Sequence, residues 1–99
     1  MAEVIWSAES LQDLEDIAAF IARDSQYHAA LFVQRLIDAT TRLGEFPESG
    51  RFIPGLEDTP FREVIEGAYR IMYSVRGNEV HIDAVLHGAR RFDPKRRGG

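Results

Sequence analysis

Ninety-nine residues, 44% of them hydrophobic, are enough for one compact domain with a modest core. The absence of cysteine excludes a disulfide framework and thiolate chemistry, and His28, His81 and His87 lack the spacing of a metal site, so neither metal nor cofactor is expected. The net charge of −4 comes without an apolar run long enough to span a membrane and without a signal-peptide core, so a cytoplasmic protein with no membrane partner is expected.

Glu3-Val4-Ile5-Trp6 is short, β-prone and mostly apolar, as an opening strand would be. Ser7 can cap a helix whose first turn carries Glu9, an acid suited to the positive end of the helix dipole. Leu11, Leu14, Ile17, Ala18 and Ile21 recur at three- and four-residue steps, which predicts a helix from about 8 to 23. Asp24-Ser25-Gln26 breaks that pattern and offers a second cap. Ala29, Val33, Leu36, Ile37, Thr40 and Leu43 then form another stripe, with Phe32 and Ala39 at its margin. Gly44 stands where a glycine beyond the helix end would, and Pro47 follows. A three-residue link makes the two helices an antiparallel hairpin, and each has one apolar face to bury.

Residues 45–60 hold three of the four prolines and read as an ordered loop anchored by Phe46, Phe52, Ile53 and Leu56. Residues 61–66 read as a strand, and Gly67 turns the chain into a β-hairpin. In that hairpin Tyr69, Ile71, Tyr73 and Val75 alternate with Arg70, Met72, Ser74 and Arg76. Gly77-Asn78 supplies a two-residue turn with positive φ expected at both residues, and Val80, Ile82, Ala84 and Leu86 alternate with His81, Asp83, Val85 and His87. Counting outward from the turn sets Arg76 against Glu79, Val75 against Val80, Tyr73 against Ile82, Ile71 against Ala84, and Tyr69 against Leu86. The other face then pairs Ser74 with His81, Met72 with Asp83, and Arg70 with Val85. This register makes His87 the diagonal neighbour of Arg70. The expected fold is α+β, a two-layer sandwich of order β-α-α-β-β-β, with the helical hairpin on a mainly antiparallel four-stranded sheet.

Residues 90–99 carry Arg90, Arg91, Lys95, Arg96 and Arg97 against Asp93 alone, a local +4 that leaves −8 on the other 89 residues. A basic tail, taken as 93–99, can reach a phosphate or an acidic partner. It is not the footprint of a duplex-binding domain, and sequence-specific DNA binding is not expected.

Trp6-Ser7 with Leu14 and Ile17, then Tyr69-Arg70-Ile71 with Tyr73 and Val75, then Val85-Leu86-His87-Gly88 with Arg90, occur in this order around a long Pro/Gly loop. Over roughly residues 3–92 the chain thereby resembles the RelE/ParE toxin superfamily of bacterial type II toxin–antitoxin systems. The resemblance implies a cytoplasmic growth-inhibiting toxin, neutralised by a cognate antitoxin whose C-terminal segment adds a strand or lays an amphipathic helix on it. The RelE-like branch cleaves mRNA in the ribosome, whereas the ParE-like branch inhibits DNA gyrase and serves plasmid stabilisation. RNA cleavage by 2′-hydroxyl attack needs a base, cations beside the phosphorane and an acid for the leaving oxygen. RelE-like nucleases place lysines on the strand before the Tyr-Arg motif, where this chain has Phe61 and Glu63. They also use a tyrosine or histidine near the C-terminus, and no tyrosine follows Tyr73 here.

The resemblance thus favours the ParE-like branch, with the ribosome-dependent nuclease and a non-toxic interaction module on the same fold as alternatives. Arg70, His87 and Arg90 are the catalytic candidates for the nuclease. Met72, Val85, Arg91, Lys95, Arg96 and Arg97 are the candidates for contact with target or antitoxin. Structural use remains open beside these: Arg70 can pair with a carboxylate, and His87 can serve as a strand-end residue bonded to backbone.

Overall fold

The computed structural model describes residues 1–96. Its elements are β1 (Glu3–Trp6), α1 (Ala8–Ala22), α2 (Gln26–Glu45), β2 (Arg51–Phe52), β3 (Arg62–Glu66), β4 (Tyr69–Arg76) and β5 (Glu79–His87), followed by a short 3-10 turn at Pro94–Arg96. The strands form one sheet in the order β1-β5-β4-β3-β2, with β1 parallel to β5 and the other pairs antiparallel. The α+β expectation holds. The sheet has five strands rather than four, because two residues of the Pro/Gly loop pair with Arg62 and Glu63 to make β2.

Both helices start where their serines predict. The Ser7 hydroxyl accepts the Ser10 N–H at 3.0 Å, and the Ser25 hydroxyl accepts that of His28 at 3.1 Å. The end of α2 differs from expectation. Gly44 lies inside the helix, buried, with its carbonyl accepting the Ala2 N–H at 2.8 Å. A β-carbon there would stand 3.1 Å from the Ala2 carbonyl oxygen and 3.2 Å from Val4. The glycine therefore serves the approach of the N-terminal strand rather than a helix stop.

The principal core lies between helices and sheet: Leu36, Ala39 and Leu43 of α2 meet Ile71, Tyr73, Val80, Ile82 and Val85, with Leu14 and Ile17 of α1 at its border. Four expected stripe or anchor residues, Leu11, Ile37, Phe46 and Phe52, are exposed instead. The opposite sheet face is covered as well. Ile53, Leu56 and Phe61 from the loop and Phe92 from the C-terminal segment close over Met72, Ala84 and Leu86. Ile53 and Leu56 thus anchor the loop as expected, while Phe52 stands exposed with the Arg62 guanidinium 4.1 Å from its ring centre.

The hairpin register follows the expectation for half its length and then departs from it. Arg76, Val75, Ser74 and Tyr73 face Glu79, Val80, His81 and Ile82. Between Met72 and Tyr73 the register shifts, with Asp83 the extra residue of a β-bulge, so Met72 faces Ala84, Ile71 faces Val85, Arg70 faces Leu86 and Tyr69 faces His87. The expected pairs Ile71–Ala84, Tyr69–Leu86, Arg70–Val85 and Met72–Asp83 are therefore wrong.

The reason lies at the junction of β1 and α1. The Ser7 N–H donates to the Ile82 carbonyl at 3.0 Å, and Asp13 of α1 accepts the Val85 N–H at 3.0 Å. Backbone groups that the bulge removes from the ladder are thus satisfied by the neighbouring helix and its cap. Val85 turns under the helices, while Ala84 and Leu86 move to the second core. The turn has one residue at positive φ rather than the expected two: Gly77 stands at φ +57°, whereas Asn78 is not at positive φ, because a type II′ turn needs it only at its first central residue.

Candidate functional site

The bulge separates the residues that a regular hairpin would unite. Arg70 faces the loop side of the sheet, opposite Leu86, whereas His87 lies on the helix side opposite Tyr69, the two rings edge to face at 5.5 Å. The His87 Nδ1 accepts the Ala89 N–H at 3.3 Å, which fixes that nitrogen as an acceptor. The expected convergence of Arg70 and His87 does not form.

Arg70 instead joins an ionic cluster around Glu63 of β3. The Glu63 side chain is 1% exposed; one oxygen receives Arg70 Nη1 at 2.8 Å, and the other receives Arg51 Nη2 at 2.7 Å and Nε at 2.9 Å. Arg70 Nη2 also donates to the Arg90 carbonyl oxygen. One buried carboxylate thereby ties β2, β4 and the chain beyond β5 together. Burying such a charge is tolerable because both oxygens are engaged by guanidinium groups. Sequence reading placed Glu63 as a departure from the lysines of the nuclease branch, and missed that it organises the site. The signal was available: Glu63 alternates with Val64 on a strand whose neighbour carries Arg70.

The other candidates divide by exposure. Met72 and Val85, expected to contact target or antitoxin, are 0% and 1% exposed and sit in the two cores, so neither offers its side chain to a partner in this conformation. Arg90, Arg91 and Lys95 are exposed. They line a shallow cavity with Leu56, Phe92 and Glu9 on the loop side of the sheet. Phe92 anchors this segment against Phe61, ring centres 5.4 Å apart, and Asp93 accepts the Lys95 N–H at 3.1 Å. Arg96 closes the 3-10 turn, and Arg97 lies outside the described residues. Arg90 also borders a hollow on the helix side with Tyr69 and His87, and the carboxylates Asp13 and Asp16 share that hollow. Among the described residues no cluster of histidine and acidic side chains could hold a metal ion, and no helix is long and apolar enough to cross a membrane.

A helical hairpin laid on an open, mostly antiparallel sheet, with a tyrosine–arginine strand at its centre and a basic segment beyond its last strand, has the architecture of the RelE/ParE toxins. A family profile described as "ParE toxin of type II toxin-antitoxin system, parDE" matches residues 4–92, and the chain belongs to this family. It is 37% identical over 91 residues to Toxin RelE2 of Caulobacter vibrioides, covering 91% of this chain and 99% of that protein. It is also 32% identical over 88 residues to Putative toxin Y4kP of Sinorhizobium fredii, covering 88% of each. Among solved structures, a chain of "Chromosomal ParDE TA system from P. aeruginosa" superposes with a TM-score of 0.73 over 88% of this chain and 96% of that one. At 20% identity that likeness speaks to the fold. The protein is thus a toxin of a type II toxin–antitoxin system, and an antitoxin is its expected partner.

Proposed function

We propose that this toxin acts on DNA gyrase rather than on mRNA, and that it does so by binding, without proton transfer by its own side chains. The observation that carries the reading is the engagement of Arg70. Its guanidinium is held by the buried Glu63 carboxylate and by the Arg90 carbonyl, so the strand position that would grip a scissile phosphate is occupied by an internal anion. A phosphate approaching that point meets the Glu63 charge as well as the arginine. Gyrase binding would instead use the exposed Arg90, Arg91 and Lys95, with Arg96 and Arg97 continuing the same basic segment.

One observation favours the nuclease alternative: His87, Arg90 and the Tyr69 ring border a common hollow on the helix side. A histidine beside a cation is the minimum for acid–base work on a phosphodiester. Asp13 and Asp16 on the same wall oppose an anionic substrate there. Tightly controlled expression, with plasmid supercoiling and transcript integrity scored in parallel, separates the two. Loss of negative supercoiling with intact transcripts supports gyrase; cleaved transcripts with normal supercoiling support the nuclease.

A further inference from the structure

The end of α2 and the hairpin tip enclose an open groove whose walls are Phe46, Pro47 and Val75, bordered by Gly77 and rimmed by Glu45 and Glu48. Phe46 is 63% exposed, and unlike the equally exposed Phe20 it lines this groove. Its backbone is not free to fold the ring inward. The Tyr73 hydroxyl rises through the core to donate to the Pro47 carbonyl and to accept the Gly50 N–H, each at 2.8 Å. Gly50 leaves no room for movement there, since even a β-carbon would stand 2.5 Å from the Tyr73 oxygen. The loop is thus clamped from below while its aromatic stays in solvent. The rim is acidic and lies at the C-terminal end of a twenty-residue helix, where the dipole adds negative potential. Arg62 is already engaged by the carbonyls of Glu48 and Gly50 and by the Phe52 ring, and Arg76, between the lining residues Val75 and Gly77, stands opposite the carboxylate-bearing Glu79.

We propose that this groove docks a segment of the cognate antitoxin in which an aliphatic side chain is flanked by lysine or arginine. The aliphatic residue fills the space between Phe46 and Val75, and the cations meet Glu45, Glu48 and the last carbonyls of α2. Charge complementarity selects this occupant over a second copy of the same chain. Residues 1–89 of a copy sum to −8, and the apolar side chain of its basic segment, Phe92, is already buried at 6% exposure and cannot fill the groove. The groove shares no lining residue with the Glu63 cluster or the basic segment, so this inference does not rest on the gyrase reading.

The test uses the cognate antitoxin with the purified toxin and with Phe46→Ser and Glu45→Lys/Glu48→Lys variants, whose positions are exposed and whose folds are checked by thermal melting. Titration should show at least a tenfold loss of antitoxin affinity for each variant, with the wild-type complex weakening as salt rises. Hydrogen exchange of the co-purified complex should protect the amides of Phe46, of residues 48–50 and of residues 75–77 beyond their protection in the free toxin. Unchanged affinity, or no added protection at these amides, overturns the proposal. So does weakened action on gyrase or mRNA by the variants with antitoxin affinity intact, which would assign the groove to the target.

Discussion

At the scale of single residues, two buried polar groups hold the molecule in its working shape. Glu63 is buried between two arginines, and removing one partner of such a pair leaves an uncompensated charge. Glu63→Ala should therefore destabilise by about 3–5 kcal/mol in chemical denaturation. Arg51→Ala, which strips the guanidinium from one oxygen of a carboxylate that stays buried and paired with Arg70, should cost less, about 1–3 kcal/mol. Equal effects from the two substitutions would mean that Glu63 is not the centre of the cluster.

Tyr73 carries the second group. Burial raises its pKa above the ordinary phenol value of 10.0, and as a neutral phenol it can donate to Pro47. A raised folded-state pKa contributes stability that is complete below the unfolded value and fades as pH rises through the folded one. Unfolding free energy should thus fall above about pH 10 in the wild type. Tyr73→Phe should lose about 1–3 kcal/mol at neutral pH, because the Gly50 N–H loses its acceptor, and should show less of that alkaline decline. A denaturation series from pH 7 to 11 on both proteins checks the sign.

Among the secondary elements, the β-hairpin shows what the sequence could and could not convey. Its turn, its strands and the pairs from Arg76–Glu79 to Tyr73–Ile82 follow from alternation and from Gly77-Asn78. The bulge at Asp83 was hidden because Ala84, Val85 and Leu86 are all apolar, so a shift of face leaves no polar residue in a core. What dictates the shift is a distant acceptor, Asp13, reaching the Val85 N–H across 72 positions of sequence. The candidate site inherited the error, since Arg70 and His87 share a face only in a regular ladder. The helices were legible from their caps and stripes, while β2 was not, because two paired residues in a proline-rich loop leave no periodicity to read. The turn offers a sharp check. Gly77→Val should cost at least about 1 kcal/mol because valine at positive φ is strained, and Asn78→Val, at negative φ, should cost less. A reversed order would contradict the turn geometry.

For the molecule as a whole, charge is segregated: an acidic body, a basic C-terminal segment, and a buried Glu63–arginine cluster that ties down the chain where that segment leaves the sheet. If the toxin works by binding gyrase, its cations act by steering and by additive contacts rather than by a single proton transfer. Truncation after Phe92, which removes Lys95, Arg96 and Arg97, should then weaken toxicity more than His87→Ala, measured as colony survival under matched expression. For the nuclease the order inverts, because losing one catalytic group costs about 10²–10³ in rate. The most direct measurement combines the purified toxin with purified gyrase and relaxed plasmid in one reaction, and with ribosomes translating a defined mRNA in another. The gyrase account predicts that supercoiling stops in the first while the mRNA in the second stays full length; mRNA cut in the ribosome with supercoiling undiminished would contradict it.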